Sequence, residues 1–83
     1  MKKHWKILEA IFTNPPPSNI MWNDIESLLL ALGAELSEGS GSRIRVKLNK
    51  RRAVFHRPHP QKGTDKGSVK SMKRFLEQAG VKP

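Results

Sequence analysis

Histidine is the side chain best suited to move a proton near neutral pH. Two of the three histidines lie close together, in Phe55-His56-Arg57-Pro58-His59-Pro60. Flanked by cations, such a residue can take or give a proton beside a bound phosphate. Cleaving RNA needs little more: a base removes the proton from a 2′-hydroxyl, an acid protonates the leaving oxygen, and cations stabilise the charged phosphorane. His56 and His59 are therefore the candidate catalytic residues. Metal binding fits less well. No carboxylate lies near them in sequence, and their spacing falls in a proline-containing loop instead of on a helix face. No metal site and no cofactor are expected. The plainer alternative is a pair of loop histidines that only form hydrogen bonds. His4, beside Trp5, has no acid or second histidine at ligand spacing and reads as a surface residue.

The cations are abundant and segregated. Residues 1–38 carry three Lys against five acids, a net of −2, while residues 39–74 carry twelve Lys or Arg against Asp65 alone, a net of +11. Such asymmetry points to one polyanion-binding face on an otherwise ordinary domain, with a merely solubilising surface as the alternative. There is no cysteine, which excludes a disulfide framework, a thiol nucleophile and a thiolate metal site. The sequence also lacks the paired carboxylates of two-metal nuclease chemistry. Its longest apolar run, Leu28 to Leu32, is far too short to span a bilayer, and its N-terminus lacks the apolar stretch of a signal peptide, so the cytoplasm is the expected compartment.

Eighty-three residues make one domain with a modest core. Trp5, Leu8, Ile11 and Phe12 fall at helical spacing, which predicts an amphipathic helix over 4–13 within an N-terminal segment 1–14. Pro15, Pro16 and Pro17 stop it and form a linker over 15–19. Asn23-Asp24-Ile25-Glu26 reads as a capping box, and Ile25, Leu28, Leu29 and Leu32 give the stripe of a helix over 23–32 that ends at Gly33. Alternation follows: Ile44, Val46 and Leu48 on one side of a strand, Arg43, Arg45 and Lys47 on the other. A short strand near 34–37 precedes it through Gly39-Ser40-Gly41-Ser42. That segment lacks the Lys-Ser/Thr ending and following helix of a phosphate-binding loop, and reads as a glycine-permitted turn. Asn49-Lys50-Arg51 reads as a hairpin turn into a third strand, 52–56. A loop follows, then a helix capped by Asp65, with Val69, Met72, Leu76 and Ala79 on its buried face, ending at Gly80. The expected architecture is α+β: an antiparallel three-stranded meander with two helices on one face, and one helix added in front.

In this order and spacing the chain resembles the HicA family, the YcfA-like mRNA interferases of toxin–antitoxin systems. The resemblance covers residues 22–83. It rests on Leu29-Leu30-Ala31-Leu32-Gly33, on Gly41-Ser42 opening a strand, and on Phe55-His56-Arg57-Pro58-His59-Pro60. Lys66-Gly67-Ser68-Val69-Lys70-Ser71 and the closing Gln78-Ala79-Gly80-Val81 complete it. It implies a double-stranded-RNA-binding-like α-β-β-β-α core over 20–83, with the N-terminal helix as an addition. It further implies mRNA as ligand and a HicB-like antitoxin as partner. The family places a histidine directly after the Gly-Ser pair, and here that position is Arg43. Arginine cannot act as a base near neutral pH, though it can hold a phosphate. His59 matches the histidine the family keeps after its third strand.

With these residues, the resemblance implies a toxin that binds mRNA and cleaves it without metal. Ser42, Arg43, Arg45, Lys47, Arg57, Lys66 and Lys70 are the expected RNA-binding residues, and His59 or His56 moves protons. Two other readings stay open: a non-catalytic RNA-binding module or inactive relative, which Arg43 favours, and a subunit whose basic face serves an acidic protein.

Overall fold

The computed structural model describes residues 2–58 and 63–83. The elements run α1 (Lys2–Phe12), α2 (Trp22–Ala31), β1 (Glu35–Glu38), β2 (Arg43–Leu48), β3 (Arg51–His56) and α3 (Lys66–Gln78). The three strands form one antiparallel sheet in the order β1-β2-β3. This is the expected α+β order, consistent with a double-stranded-RNA-binding-like fold plus one helix.

Burial along β2 alternates without a break. Ile44, Val46 and Leu48 are buried, while Arg43, Arg45 and Lys47 are exposed. The apolar side packs against α2 and α3, through Ile25 and Leu29 from one helix and Val69, Met72 and Leu76 from the other. Phe55 of β3 sits between Trp22 and Phe75, with ring centroids 6.2 and 5.9 Å away. Helix α1 packs on α2 and α3 and, among the described residues, on no strand. Its Leu8 and Ile11 are as buried as the residues facing the sheet. The layers are therefore sheet, helix pair, single helix, and among the described residues no element covers the far side of the sheet.

Both inner helices end in the same way. After α2, Gly33 takes φ +91°, and the N–H groups of Gly33 and Ala34 donate to the carbonyls of Leu30 and Leu29. After α3, Gly80 takes φ +82°, and Gly80 and Val81 donate to Glu77 and Leu76. This is the Schellman arrangement, in which a left-handed glycine lets the chain satisfy the last carbonyls. At the start of α3, Asp65 accepts from the Ser68 backbone N–H at 3.1 Å and from its hydroxyl at 2.7 Å, as a cap should. Those bonds, first of all the one from the hydroxyl, hold the Asp65 carboxyl below the usual aspartate range.

Three sequence expectations are corrected. The Asn23–Glu26 capping box does not form: α2 begins one residue earlier, with Met21 at its cap position and no side-chain cap bond. Glu26 is drawn instead to Trp22 Nε1 and to Arg57, whose charge-assisted bonds outcompete a local cap. The β2–β3 hairpin turns on two residues, not three. Asn49 (φ 50°) and Lys50 (φ 70°) both adopt the left-handed conformation of a type I′ turn, so β3 starts at Arg51. Asn49 Nδ2 also donates to the carbonyl of Ala79 at 2.8 Å, tying the hairpin to the end of α3. Finally, His4 is half-buried, and its Nδ1 has no hydrogen-bond partner among the described residues.

Candidate nucleic-acid interface

The open face of the sheet is a small grid whose rows follow from the strand register. Arg43 stands across from His56; Arg45 lies between Ser37 and Val54; Lys47 lies between Glu35 and Arg52. Neighbouring strands run roughly 4.8 Å apart and side chains on one face repeat every second residue, so these rows are contiguous. Arg43, Arg45, Lys47, Arg52 and His56 are all exposed. Four permanent cations and one imidazole therefore share a face that no helix covers.

The Arg45 side chain reaches back toward the start of β2. A Cβ placed on Gly39 would lie 3.3 Å from Arg43 Cβ and 3.8 Å from Arg45 Cζ, so the guanidinium of Arg45 leans back over the glycine toward Arg43. The bare backbone at residue 39 leaves the room that the Arg45 side chain uses. Arg43 and Arg45 can grip one phosphate or two adjacent ones, and His56 stands across from the first.

The ladder also exposes backbone. Arg57 N–H donates to the Ser42 carbonyl at 2.9 Å, and Gly39 N–H donates to the Arg43 carbonyl at 3.0 Å. That phase turns the N–H and C=O groups of Val54 and His56 away from β2, to the outer edge of β3. Beside this edge runs a cleft lined by Val54, Phe55, His56, Asp65, Gly67, Ser68 and Ser71. His56 thus sits at the corner between the cationic face and the start of α3.

Arg57, one of the expected phosphate ligands, is engaged otherwise. Its Nε and one terminal nitrogen donate to Glu26 at 2.8 and 3.2 Å, and the other terminal nitrogen donates to Glu38 at 2.7 Å. These bonds, the one to Glu26 foremost, push its pKa above even the usual arginine value. Arg57 braces α2, the end of β1 and the end of β3, and so fixes the strand end that carries His56.

The structure gathers Arg43, Arg45, Lys47 and His56 at one face. Ser42 is exposed in the turn before β2, out of phase with Arg43, and its carbonyl accepts from Arg57 N–H. Lys66 is exposed on the first turn of α3, next to the cleft residue Gly67. Lys70 lies elsewhere: with Lys73 and Arg74 it lines a cleft against Thr13, Asn14 and Pro16, at the end of α1. His59 falls outside the described residues. Sequence reasoning missed Arg52, Glu35 and Ser37. The alternation Arg52, Val54, His56 within β3 carried a signal for the first, but only the register shows that all three join the face.

Among the described residues, no three carboxylate, imidazole or thiol groups converge as a metal-ligand cluster, and no helix is long and apolar enough to cross a membrane. A family model described as the HicA toxin of bacterial toxin–antitoxin systems matches residues 22–81. Helix α1 and the proline segment lie outside that match. No curated protein and no solved structure gives a significant match.

Proposed function

The chain belongs to the HicA toxin family, and from that premise we propose that it is a toxin acting in the cytoplasm by binding mRNA and cleaving it without a metal, held silent by a HicB-like antitoxin. The observation that carries this reading is the uncovered sheet face with Arg43, Arg45, Lys47, Arg52 and His56 in register. In the reaction, Arg43 and Arg45 hold the scissile phosphate and stabilise the phosphorane. An imidazole takes the 2′-hydroxyl proton, the 2′-oxygen attacks phosphorus, and the 5′-oxygen leaves with a proton. The products are a cyclic phosphate and a 5′-hydroxyl. His56, across from Arg43, and His59, three residues on in sequence and matched to a family position, are the proton carriers. An acidic antitoxin surface fits the same face, because opposite charges speed encounter.

Purified protein should cleave RNA in the presence of a chelator. Ala at His56 or His59 should lower the rate by about 100-fold or more, the scale of general acid–base assistance, without loss of RNA binding. Full cleavage by the double variant refutes the mechanism. Induction of the chain alone should arrest growth and degrade mRNA, and the product of a neighbouring gene should bind it and restore growth. A second reading, an RNA-binding relative without catalysis, rests on Arg43 in the position where the family places histidine. Under it the wild-type chain binds RNA and leaves it intact, and Arg43→His restores cutting if the rest of the site is sound.

A further inference from the structure

Among the described residues, the cationic face contains one carboxylate and one exposed apolar side chain, and they border the same depression. A shallow basin crosses all three strands, lined by Glu35, Ser37, Arg45, Lys47, Arg52 and Val54. Val54 is 54% exposed although it sits amid charged neighbours. Glu35 is harder to explain as a phosphate-binding element, because it repels phosphate. A cross-strand pair with Lys47 is the structural explanation to beat. Yet the ion pairs among the described residues are Lys3–Asp24, Arg57–Glu26 and Arg57–Glu38. Glu35 takes part in none of them, whereas the neighbouring acid Glu38 is engaged by Arg57.

We infer that this basin is a subsite for one unpaired guanine base of the bound RNA. An ionised carboxylate only accepts, through two oxygens side by side. Guanine is the common base with two adjacent donors on its Watson–Crick edge, the N1 imino hydrogen and the N2 amino group. Adenine, cytosine and uracil each set an acceptor beside a donor there, and a carboxylate repels that acceptor. The third group on the guanine edge is the O6 acceptor. Lys47, the direct register partner of Glu35, supplies a donor for it one strand away. The row Glu35–Lys47 therefore matches the whole edge in order, Val54 offers an apolar surface to the base, and Arg45 and Arg52 flank it for the adjoining phosphates. Such an edge is readable only in single-stranded RNA. The inference rests on the reading that the protein binds RNA, and it adds a base preference.

The test is binding of the full chain, by fluorescence anisotropy at low salt, to 2′-O-methyl oligouridylates, in which 2′-hydroxyl attack is blocked. Each carries one central guanosine, adenosine, cytidine, uridine or inosine. The guanosine oligomer should bind about tenfold more tightly than the adenosine, cytidine or uridine ones, the scale of one bidentate base contact, with inosine between. Glu35→Gln should abolish that preference or move it toward adenine, since an amide offers one donor and one acceptor. Glu35→Ala should tighten binding to plain oligouridylate by removing a repulsive charge. Circular dichroism should show all variants folded, because Glu35 is exposed. Equal wild-type affinity for the five oligomers, or an unchanged guanine preference in Glu35→Gln, overturns the subsite while leaving RNA binding in place. Failure to bind any of them at low salt overturns the subsite and the RNA-binding reading together.

Discussion

Replacing Arg43, Arg45 and Lys47 together by alanine isolates the open sheet face from everything else in the molecule. All three are exposed and alternate with Ile44, Val46 and Leu48, which keep the core intact. If each cation contributes about 0.5–1 kcal/mol to an RNA complex, the triple variant loses about 1.5–3 kcal/mol. That is a loss of roughly 10- to 150-fold in affinity. Each cation also releases counterions, so the slope of log K against log salt should flatten by about 2 for three contacts with single-stranded RNA. The assay is a titration of labelled RNA at several salt concentrations, beside a thermal melt that confirms folding. The control is Lys70→Ala with Arg74→Ala, which removes two cations from the cleft at the end of α1. Net charge alone would make the control respond in proportion to its two lost charges; a site on the sheet leaves it near the wild type. A folded triple variant with unchanged affinity and salt slope refutes the placement of the site.

Two further outcomes follow from contacts elsewhere. Arg57→Lys keeps the charge but cannot fork between Glu26 and Glu38, so it should lower the thermal midpoint nearly as much as Arg57→Ala while leaving the salt slope of RNA binding unchanged. A flattened slope with an unaltered midpoint would return Arg57 to the phosphate-binding set. Ile11 is 1% exposed within the common core, so Ile11→Ala should cost about 2–4 kcal/mol, roughly 10–25 °C in a thermal melt of a chain this size. A shift of only a few degrees would mean that α1 is an appendage.

Much of the fold was legible because its signals are local. The stripe Ile25, Leu28, Leu29, the alternation of β2, the Asp65 cap, and Gly33 and Gly80 each declare themselves within a few residues. The errors arose where a residue has a distant partner. Glu26 looked like a cap because its actual partner, Arg57, is 31 residues away, and the bracing role of Arg57 was hidden for the same reason. The hairpin was read one residue too long because Lys50 takes a positive φ without being glycine. In the candidate site, the three cations of β2 were readable from period-two alternation. Arg52, Glu35 and Ser37 were not, because a strand's sequence gives its two faces but not which residues of its neighbours stand alongside.

The third layer and the charged face are connected physically. Arg43, Arg45 and Lys47 repeat every second residue, roughly 7 Å apart, where like charges repel by roughly 0.6 kcal/mol per pair even at the dielectric constant of water. Arg52, the register partner of Lys47, adds to that repulsion. A sheet covered on one face only must meet this cost from its covered face, and the chain has no cysteine to help. Helix α1 enlarges that side without touching the other. By burying Leu8 and Ile11 against α2 and α3, it gives the helix pair apolar neighbours above as well as below. The family match begins only at residue 22, so this layer is an addition to the matched region. It is positioned to strengthen the scaffold while leaving every cation of the sheet face uncovered. The same logic explains why the acids of β1 are divided. Glu38 is drawn to Arg57 at the strand end, and Glu35 alone of the two remains on the face, beside Lys47, where one negative charge relieves the repulsion and sets an acceptor into an otherwise cationic surface.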